Sequence, residues 1–374
     1  MNTPTNSPMQ IGIIGCGCIS DAYFKGAKEA SNLRVKACAD LNMDAARAKA
    51  EQHDCEALSV EALLADPDIE LVVNLTIPAA HVSVGVQVLE AGKHVYAEKP
   101  LATTLEEASQ LMKAAEKAGK RVGSAPDTFL FGHAQTSRKL IDDGWIGKPT
   151  SGTAFMRIAG HESWHPSPAF YYALGGGPML DMGPYYLTTL VNLLGPVKSV
   201  MGRTARALDE RMGSAANSKD LRIPVEVSTH ATGVLEFHSG ALITLIMSFD
   251  TARGCPENLT VNGTRGSLNV GDPNGFGQPP MLFRPGQTDW MPVPGSHPSN
   301  ARMIGVVDMV DAIRHDRPHR ASGEIAYHVL EVMEAFETSS AQGKATEIKS
   351  APERPAALPV GLRAWEADSA LSTQ

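Results

Sequence analysis

The feature that most constrains this chain is a glycine run set between a strand pattern and a helix pattern. Residues 10–14 read as a short buried strand and residues 20–30 as a helix; between them runs Gly12-Ile13-Ile14-Gly15-Cys16-Gly17-Cys18-Ile19-Ser20. In that setting Gly15 permits the tight turn and Gly17 lets the backbone approach a pyrophosphate. Ser20 stands where a third glycine is usual and is still small enough for close helix–strand packing. Cys18, Ile19 and Ser20 open the helix, whose orphan N–H groups favour an anion. The glycines alone also describe an incidental turn, so the flanking elements carry the weight. Residues 33–39 read as a strand and 43–52 as a helix behind Asn42, a good N-cap. The apolar run 69–77 reads as a strand covered on both faces. Helices are expected over 79–91 and 104–118, the second opened by the capping box Thr104-x-x-Glu107 and stopped by Gly119. Strands 94–98 and 121–125 complete the series. Alternating strands and helices specify an α/β fold with a doubly wound parallel sheet.

The pattern changes after residue 127. Over 225–237 the apolar residues fall largely at every second position, a half-buried strand with one distinct face. A second strand, 241–249, follows the turn signal Ser239-Gly240, and further strands are expected at 259–262 and 267–270. Helices are expected near 181–194, 301–314 and 324–340, and polar 208–222 and Pro/Gly-rich 271–300 read as surface excursions. The division is then 1–127, 128–350 and a tail, 351–374.

Composition narrows the function. The chain of 374 residues carries a formal net charge of -8 and no run of lysine or arginine, which argues against a nucleic-acid surface. No apolar stretch approaches the ~20 residues of a membrane helix. Residues 1–10 are polar and show no export signal, and five irregularly spaced cysteines (Cys16, Cys18, Cys38, Cys55, Cys255) do not make a disulfide framework. Reduced thiols in a cytoplasm are expected. Zinc on Cys16 and Cys18 is not, because no second pair lies nearby.

Asp40 ends the second strand, 20 residues after Ser20. A carboxylate there accepts hydrogen bonds from ribose hydroxyls and repels a 2′-phosphate, and no arginine follows in Leu41-Asn42-Met43. NAD is expected over NADP. The plainer reading of Asp40 is a turn residue. Glu98-Lys99-Pro100 closes the strand 94–98, so Lys99 lies where ligands bind in open α/β sheets. Burial and a nearby positive nicotinamide would lower its pKa toward acid/base use, although alone it also reads as a solvated strand-end lysine.

These features together resemble the Gfo/Idh/MocA family of oxidoreductases. The resemblance rests on the glycine loop, on Thr76-Ile77-Pro78 with His81, on Ala91-Gly92-Lys93-His94-Val95 leading to Glu98-Lys99-Pro100, and on the segment from Gly175 through Asp181 to Gly183. It implies an N-terminal Rossmann domain and a C-terminal α+β domain with a large open mixed or antiparallel sheet. It also implies homodimers or homotetramers built through the sheets. Gly15, Gly17, Cys18, Ile19, Ser20, Asp40, Thr76, Pro78, His81, Glu98 and Lys99 are then cofactor candidates. The implied activity is NAD-linked hydride transfer to or from a sugar, inositol or related polyol. Lys99 and Asp181 match the residues at the reacting hydroxyl. The family often has histidine four residues after that Asp; here Tyr185 stands there, a poorer base at neutral pH. The spacing would share a helix face with Asp181 provided Pro184 lies in the first helical turn.

His161-Glu162-Ser163-Trp164-His165 matches the zinc-protease pattern His-Glu-x-x-His. That chemistry needs a helix, and Gly160 and Pro166 flank the segment. No catalytic metal is expected. A substrate loop fits better, with Trp164 stacking on a sugar face and His161, Glu162 and His165 bonding hydroxyls. Tyr171 and Tyr172 are further candidates. Two other activities share the pattern: glycoside processing with NAD used transiently, and a non-catalytic sugar- or nucleotide-sensing regulator.

Overall fold

The computed structural model describes residues 7–252, 259–275 and 278–373. The described chain forms two compact units: residues 1–132, 296–327 and 355–374 make the first, and 133–295 with 328–354 the second. The units therefore differ from a linear split at 127 and 350.

The first unit opens with β1 (Met9–Ile14), α1 (Ser20–Glu29), β2 (Leu33–Ala39), α2 (Met43–His53), β3 (Glu56–Leu58) and α3 (Val60–Ala65). It continues with β4 (Leu71–Asn74), α4 (His81–Glu90), β5 (His94–Ala97), α5 (Leu105–Ala118) and β6 (Val122–Ser124). The six strands are parallel in the order β3-β2-β1-β4-β5-β6. Strand order reverses beside β1, so the loops leaving β1 and β4 lie side by side at the carboxyl edge. Asn42 and Thr104 cap α2 and α5 through their side chains, and Gly119 ends α5 in the left-handed region, all as the residue types dictate. The apolar run 69–77 yields a strand of four buried residues only, because Ile77 turns out to solvent, 70% exposed. β3 and α3 lack a sequence signal; each is too short for periodicity.

The second unit contains α6 (Gly132–Asp142), β7 (Pro149–Arg157), α7 (Gly177–Leu194), β8 (Val197–Ala205), β9 (Glu210–Met212) and β10 (Arg222–Pro224). β11 (His230–Phe237), β12 (Leu242–Ser248), β13 (Leu259–Gly263), β14 (Gly266–Asn269), β15 (Met281–Phe283) and β16 (Met291–Pro292) follow. Next come α8 (Ile304–Arg314), which belongs to the first unit, then α9 (Gly323–Gln342) and β17 (Thr346–Glu347). Nine described strands form one mixed sheet, in the order β16-β15-β14-β13-β7-β12-β11-β8-β17, with β7 and β12 parallel. One face is buried through Ala154, Leu235, Ile243, Leu245 and Val261, and α7 lies against β7, β11 and β12. The other face leaves Met201, Val234 and Leu242 exposed. Gly202 and Gly233 face each other on β8 and β11, and a Cβ on either would meet the Phe336 ring at 2.6 or 3.0 Å. The missing side chains make room for that buried aromatic.

Several expectations change here. The strand expected over 225–237 begins only at His230, because Val225 and Glu226 donate instead to Asp209 and Tyr172 carbonyls. The stretch 208–222 is not a plain surface excursion: it supplies β9 and its buried Arg211. Residues 271–300 add β15 and β16 to the sheet edge. α7 starts at Gly177, which puts Pro184 well inside the helix and beyond its first turn. The tail 351–374 is not separate, since Leu358, Leu362 and Ala367 join Ile11, Phe24, Val73, Val306 and Val310 in the core of the first unit. No described helix is long and apolar enough to cross a membrane.

Candidate active site

The carboxyl edge of the first unit gathers most of the cofactor candidates. Gly15 sits at φ 104, and a Cβ there would lie 2.6 Å from the Leu75 carbonyl, so only glycine fits. Gly17 has open space where a Cβ would project, and Gly17, Cys18 and Ile19 are exposed at the start of α1. Ser20 is buried, its Oγ donating to the Gly17 carbonyl at 2.6 Å. This open cradle at a helix N-terminus fits a pyrophosphate. Asp40 accepts from the Cys16 N–H and the Asn42 N–H, both at 2.8 Å, so it is a turn residue as well as a ribose candidate. Leu41 beside it is 98% exposed.

The next two loops stand on the adjacent strands. Thr76 donates its N–H and Oγ to Asn74 Oδ1 after β4, and Pro78 opens a short 3-10 turn. His81 is 1% exposed, with Nδ1 2.7 Å from the Pro100 carbonyl and Nε2 2.9 Å from that of Thr76. Burial holds its pKa below the usual histidine value. Both ring nitrogens face protein carbonyls, so His81 braces two loops where the sequence suggests a cofactor contact. Glu98 is also buried, its carboxylate accepting from Tyr23 OH at 2.6 Å and from the Lys99 N–H at 3.0 Å. Half-buried Lys99 thus leaves β5 at the carboxyl edge on a pinned backbone, joined to Pro100 by a cis peptide.

Within the second unit His161 Nε2 lies 3.0 Å from Asp181 Oδ2. Gly160 at φ 93 precedes a single turn in which the His165 N–H reaches the His161 carbonyl, and Pro166 ends it. His165 turns Nδ1 to the Ser167 N–H at 3.0 Å. The two histidines therefore serve different partners. Among the described residues no group of His, Cys, Asp and Glu is placed to hold a metal ion. Trp164 is 60% exposed, and Tyr171 stacks on His161 at 3.9 Å between ring centroids. Tyr185, on α7 after Asp181, is buried.

A buried ion network holds this turn, and sequence reading misses it. Arg211 Nη1 donates to Glu162 Oε1 at 2.7 Å and to the Ala159 carbonyl at 3.1 Å. Its Nη2 reaches Asp250 and the Phe249 carbonyl. The Tyr172 hydroxyl donates to Glu162 and accepts from the His161 N–H at 3.2 Å. Burial pushes the Glu162 carboxyl up, but Tyr172 and Arg211 outweigh it and bring the pKa below the ordinary value of 4.5. Nothing distinguishes Arg211 from Arg206 or Arg222 in the sequence, because the partners are distant in the chain.

Comparison with known proteins places both parts of the chain in one family. Residues 9–125 match the oxidoreductase family with an NAD-binding Rossmann fold, and residues 134–269 match the GFO/IDH/MocA C-terminal domain. The chain belongs to the Gfo/Idh/MocA oxidoreductase family. A 1,5-anhydro-D-fructose reductase of Ensifer adhaerens is 26% identical, over 91% of this chain and 98% of that protein. The myo-inositol 2-dehydrogenase of Thermotoga maritima is 26% identical, over 70% and 74%. Among solved structures, a levoglucosan dehydrogenase in complex with NADH and L-sorbose shares the fold. Its TM-score is 0.79 at 19% identity, covering 91% of this chain and 99% of that one. This Gfo/Idh/MocA protein is an oxidoreductase.

Replacing Arg211 by Met should strip the compensation from Glu162 and Asp250. Breaking such a buried pair costs about 3–5 kcal/mol. A carboxyl held below its ordinary value stabilises above that value and ceases to do so as pH falls through its folded pKa. The gap between wild type and Arg211→Met, measured by urea unfolding, should therefore be widest near neutral pH and narrow below pH 4.5. An unchanged gap in acid would contradict the assigned role of Glu162.

Proposed function

We propose that the protein transfers hydride between NAD and a secondary alcohol, or a lactol carbon, of a sugar or ring polyol. One observation carries this reading: the glycine cradle, the Thr76 turn and the Lys99 turn stand on adjacent strands, β1, β4 and β5, at one edge of the sheet. When bound, the nicotinamide supplies the hydride acceptor. Gly15, Gly17, Cys18, Ile19, Ser20 and Asp40 are assigned to its pyrophosphate and ribose, with Thr76 and Pro78 beside them. Glu98 and His81 are assigned a bracing part.

Lys99 takes the hydroxyl proton. Asp181 bonds the substrate hydroxyl, and His161 holds Asp181. With the Nε2 proton directed at the carboxylate, the ring is fixed in one tautomer. His161 thus meets the need that the family commonly meets with a histidine four residues after the Asp. Trp164 offers a face for a sugar ring and His165 a polar edge. The named relatives act, by their names, on an anhydrofructose and an inositol, which supports a ring polyol.

Lys99→Ala should leave NAD binding largely intact and reduce turnover roughly 10²–10⁴-fold. Lys99→Arg should not restore it, because arginine stays protonated. Tyr185→Phe should cost far less. His161→Asn and Asp181→Asn together should cost little more than Asp181→Asn alone, because the two act as a unit. Near-normal turnover in Lys99→Ala would refute the mechanism.

NAD is preferred over NADP on this reading, since Asp40 repels a 2′-phosphate and no cation follows. Fluorescence titration should show tighter NAD binding, and Asp40→Ala with Leu41→Arg should reverse the order. Tighter NADP binding by wild type would remove the ribose role from Asp40. The open sheet face bearing Met201, Val234 and Leu242 is assigned to pairing of copies as a homodimer or homotetramer. Sedimentation of the purified protein should show such a species, and a monomer at micromolar concentration would overturn the assignment.

A further inference from the structure

Two sulfurs lie side by side under the cofactor edge of the first unit, and the hydride chemistry uses neither. Cys55, just before β3, places its Sγ 3.9 Å from that of Cys38 on β2. Cys38 is fully buried, its thiol turned to the Ala46 carbonyl at 3.4 Å, while Cys16 in the glycine loop turns its own to the Ala39 carbonyl. Cys55 is half-buried and lines an open cavity of 590 Å³ whose other walls include Arg34, Lys36, Asp54 and Glu56. Cys55 thus stands on the wall of an open cavity, with a second sulfur 3.9 Å behind its own. The shared hydrogen bond sets the two thiols apart, bringing Cys55 below its ordinary value against burial and the neighbouring carboxylates, and raising buried Cys38 above its own. That favours the nucleophilic thiolate.

We propose that Cys55 and Cys38 form a peroxide-reactive dithiol site whose oxidation loosens the cofactor cradle. The Cys55 thiolate attacks one peroxide oxygen, the O–O bond breaks, and water leaves after protonation. Cys38 then displaces the second water from the resulting sulfenic acid and the S–S bond forms. Both thiol protons and both peroxide oxygens leave as two waters, and the two sulfurs lose the two electrons the peroxide gains. The sulfurs must close from 3.9 Å to about 2.05 Å. β3 can yield, because it is a three-residue strand at the sheet edge, paired on one side only with β2. The pull reaches the cradle because Cys38 lies two residues before Asp40, and Asp40 holds the Cys16 N–H at 2.8 Å. This second half rests on the dinucleotide reading of the glycine loop; the first half does not.

The test treats the full-length protein and its Cys55→Ser variant with hydrogen peroxide, maps disulfides by peptide mass spectrometry, and titrates NAD before and after. The wild type should lose two hydrogens in a Cys38–Cys55 linked peptide, reversibly with dithiothreitol. NAD affinity should fall about fivefold or more, the lower range of an allosteric coupling. Cys55→Ser should form no such link and keep its affinity under peroxide. Oxidation confined to exposed Cys18, with Cys38 and Cys55 left as thiols, would overturn the site, and Cys18→Ser run alongside reads this in a protein with both inner thiols intact. A Cys38–Cys55 link with unchanged NAD affinity would overturn the coupling. Reduced protein that binds no dinucleotide would sink the cradle reading instead, while the peptide map still decides the dithiol.

Discussion

The buried carboxylate of Glu98 ties together the parts on which the rest of the first unit depends. It takes one hydrogen bond from Tyr23 in α1 and another from the backbone of Lys99. Charge-assisted bonds of this kind are short and strong in a dry setting. Burial first, and then the Glu98 charge, push the Tyr23 phenol well above its usual value, so it remains a donor at any working pH. One carboxylate thus fixes α1 and the Lys99 turn in a common register. His81 does similar work one strand away, spanning the Thr76 and Pro100 carbonyls.

The second unit repeats the device. Glu162 follows His161 as Glu98 precedes Lys99, and each carboxylate accepts a tyrosine hydroxyl. In both places a candidate chemical residue sits next in sequence to an enclosed acid that holds its backbone, directly at Lys99 and through the Tyr172 hydroxyl at His161. The acids differ in their second partner. Glu98 is held by a backbone N–H, whereas Glu162 depends on Arg211, itself paired with Asp250. The His161 turn therefore leans on an ion network, and the Lys99 turn leans on the sheet.

What could be read from the sequence follows from how local each cause is. The glycine loop, the Asn42 and Thr104 caps and the Gly119 stop are set within a few residues, and they stand where the residue types place them. β7 and β8 escape notice because their residues mix polar and apolar without clean alternation. His161 and Asp181 are each legible as candidates, but their pairing spans 20 residues and a glycine-rich loop. Arg211 carries no local mark at all. Pro184 misleads in the other direction: a residue that usually bounds a helix is carried inside α7, which is buried along most of its length. The C-terminal stretch reads as a tail because Pro352, Pro355, Pro359 and Gly361 break any helix or strand period, yet Leu358 and Leu362 have core partners in β1 and α8.

That late contribution bears on how the molecule is made. A ribosome releases the six strands of the first sheet well before it releases Leu358, Leu362 and Ala367, which complete the same core. At usual elongation rates the interval is on the order of tens of seconds. Meanwhile the large mixed sheet has its central strands, through β14, already in hand. The nascent chain must then carry an unsealed nucleotide-type sheet past a later unit that can close first. Order of synthesis and order of completion therefore run opposite ways along this stretch of chain.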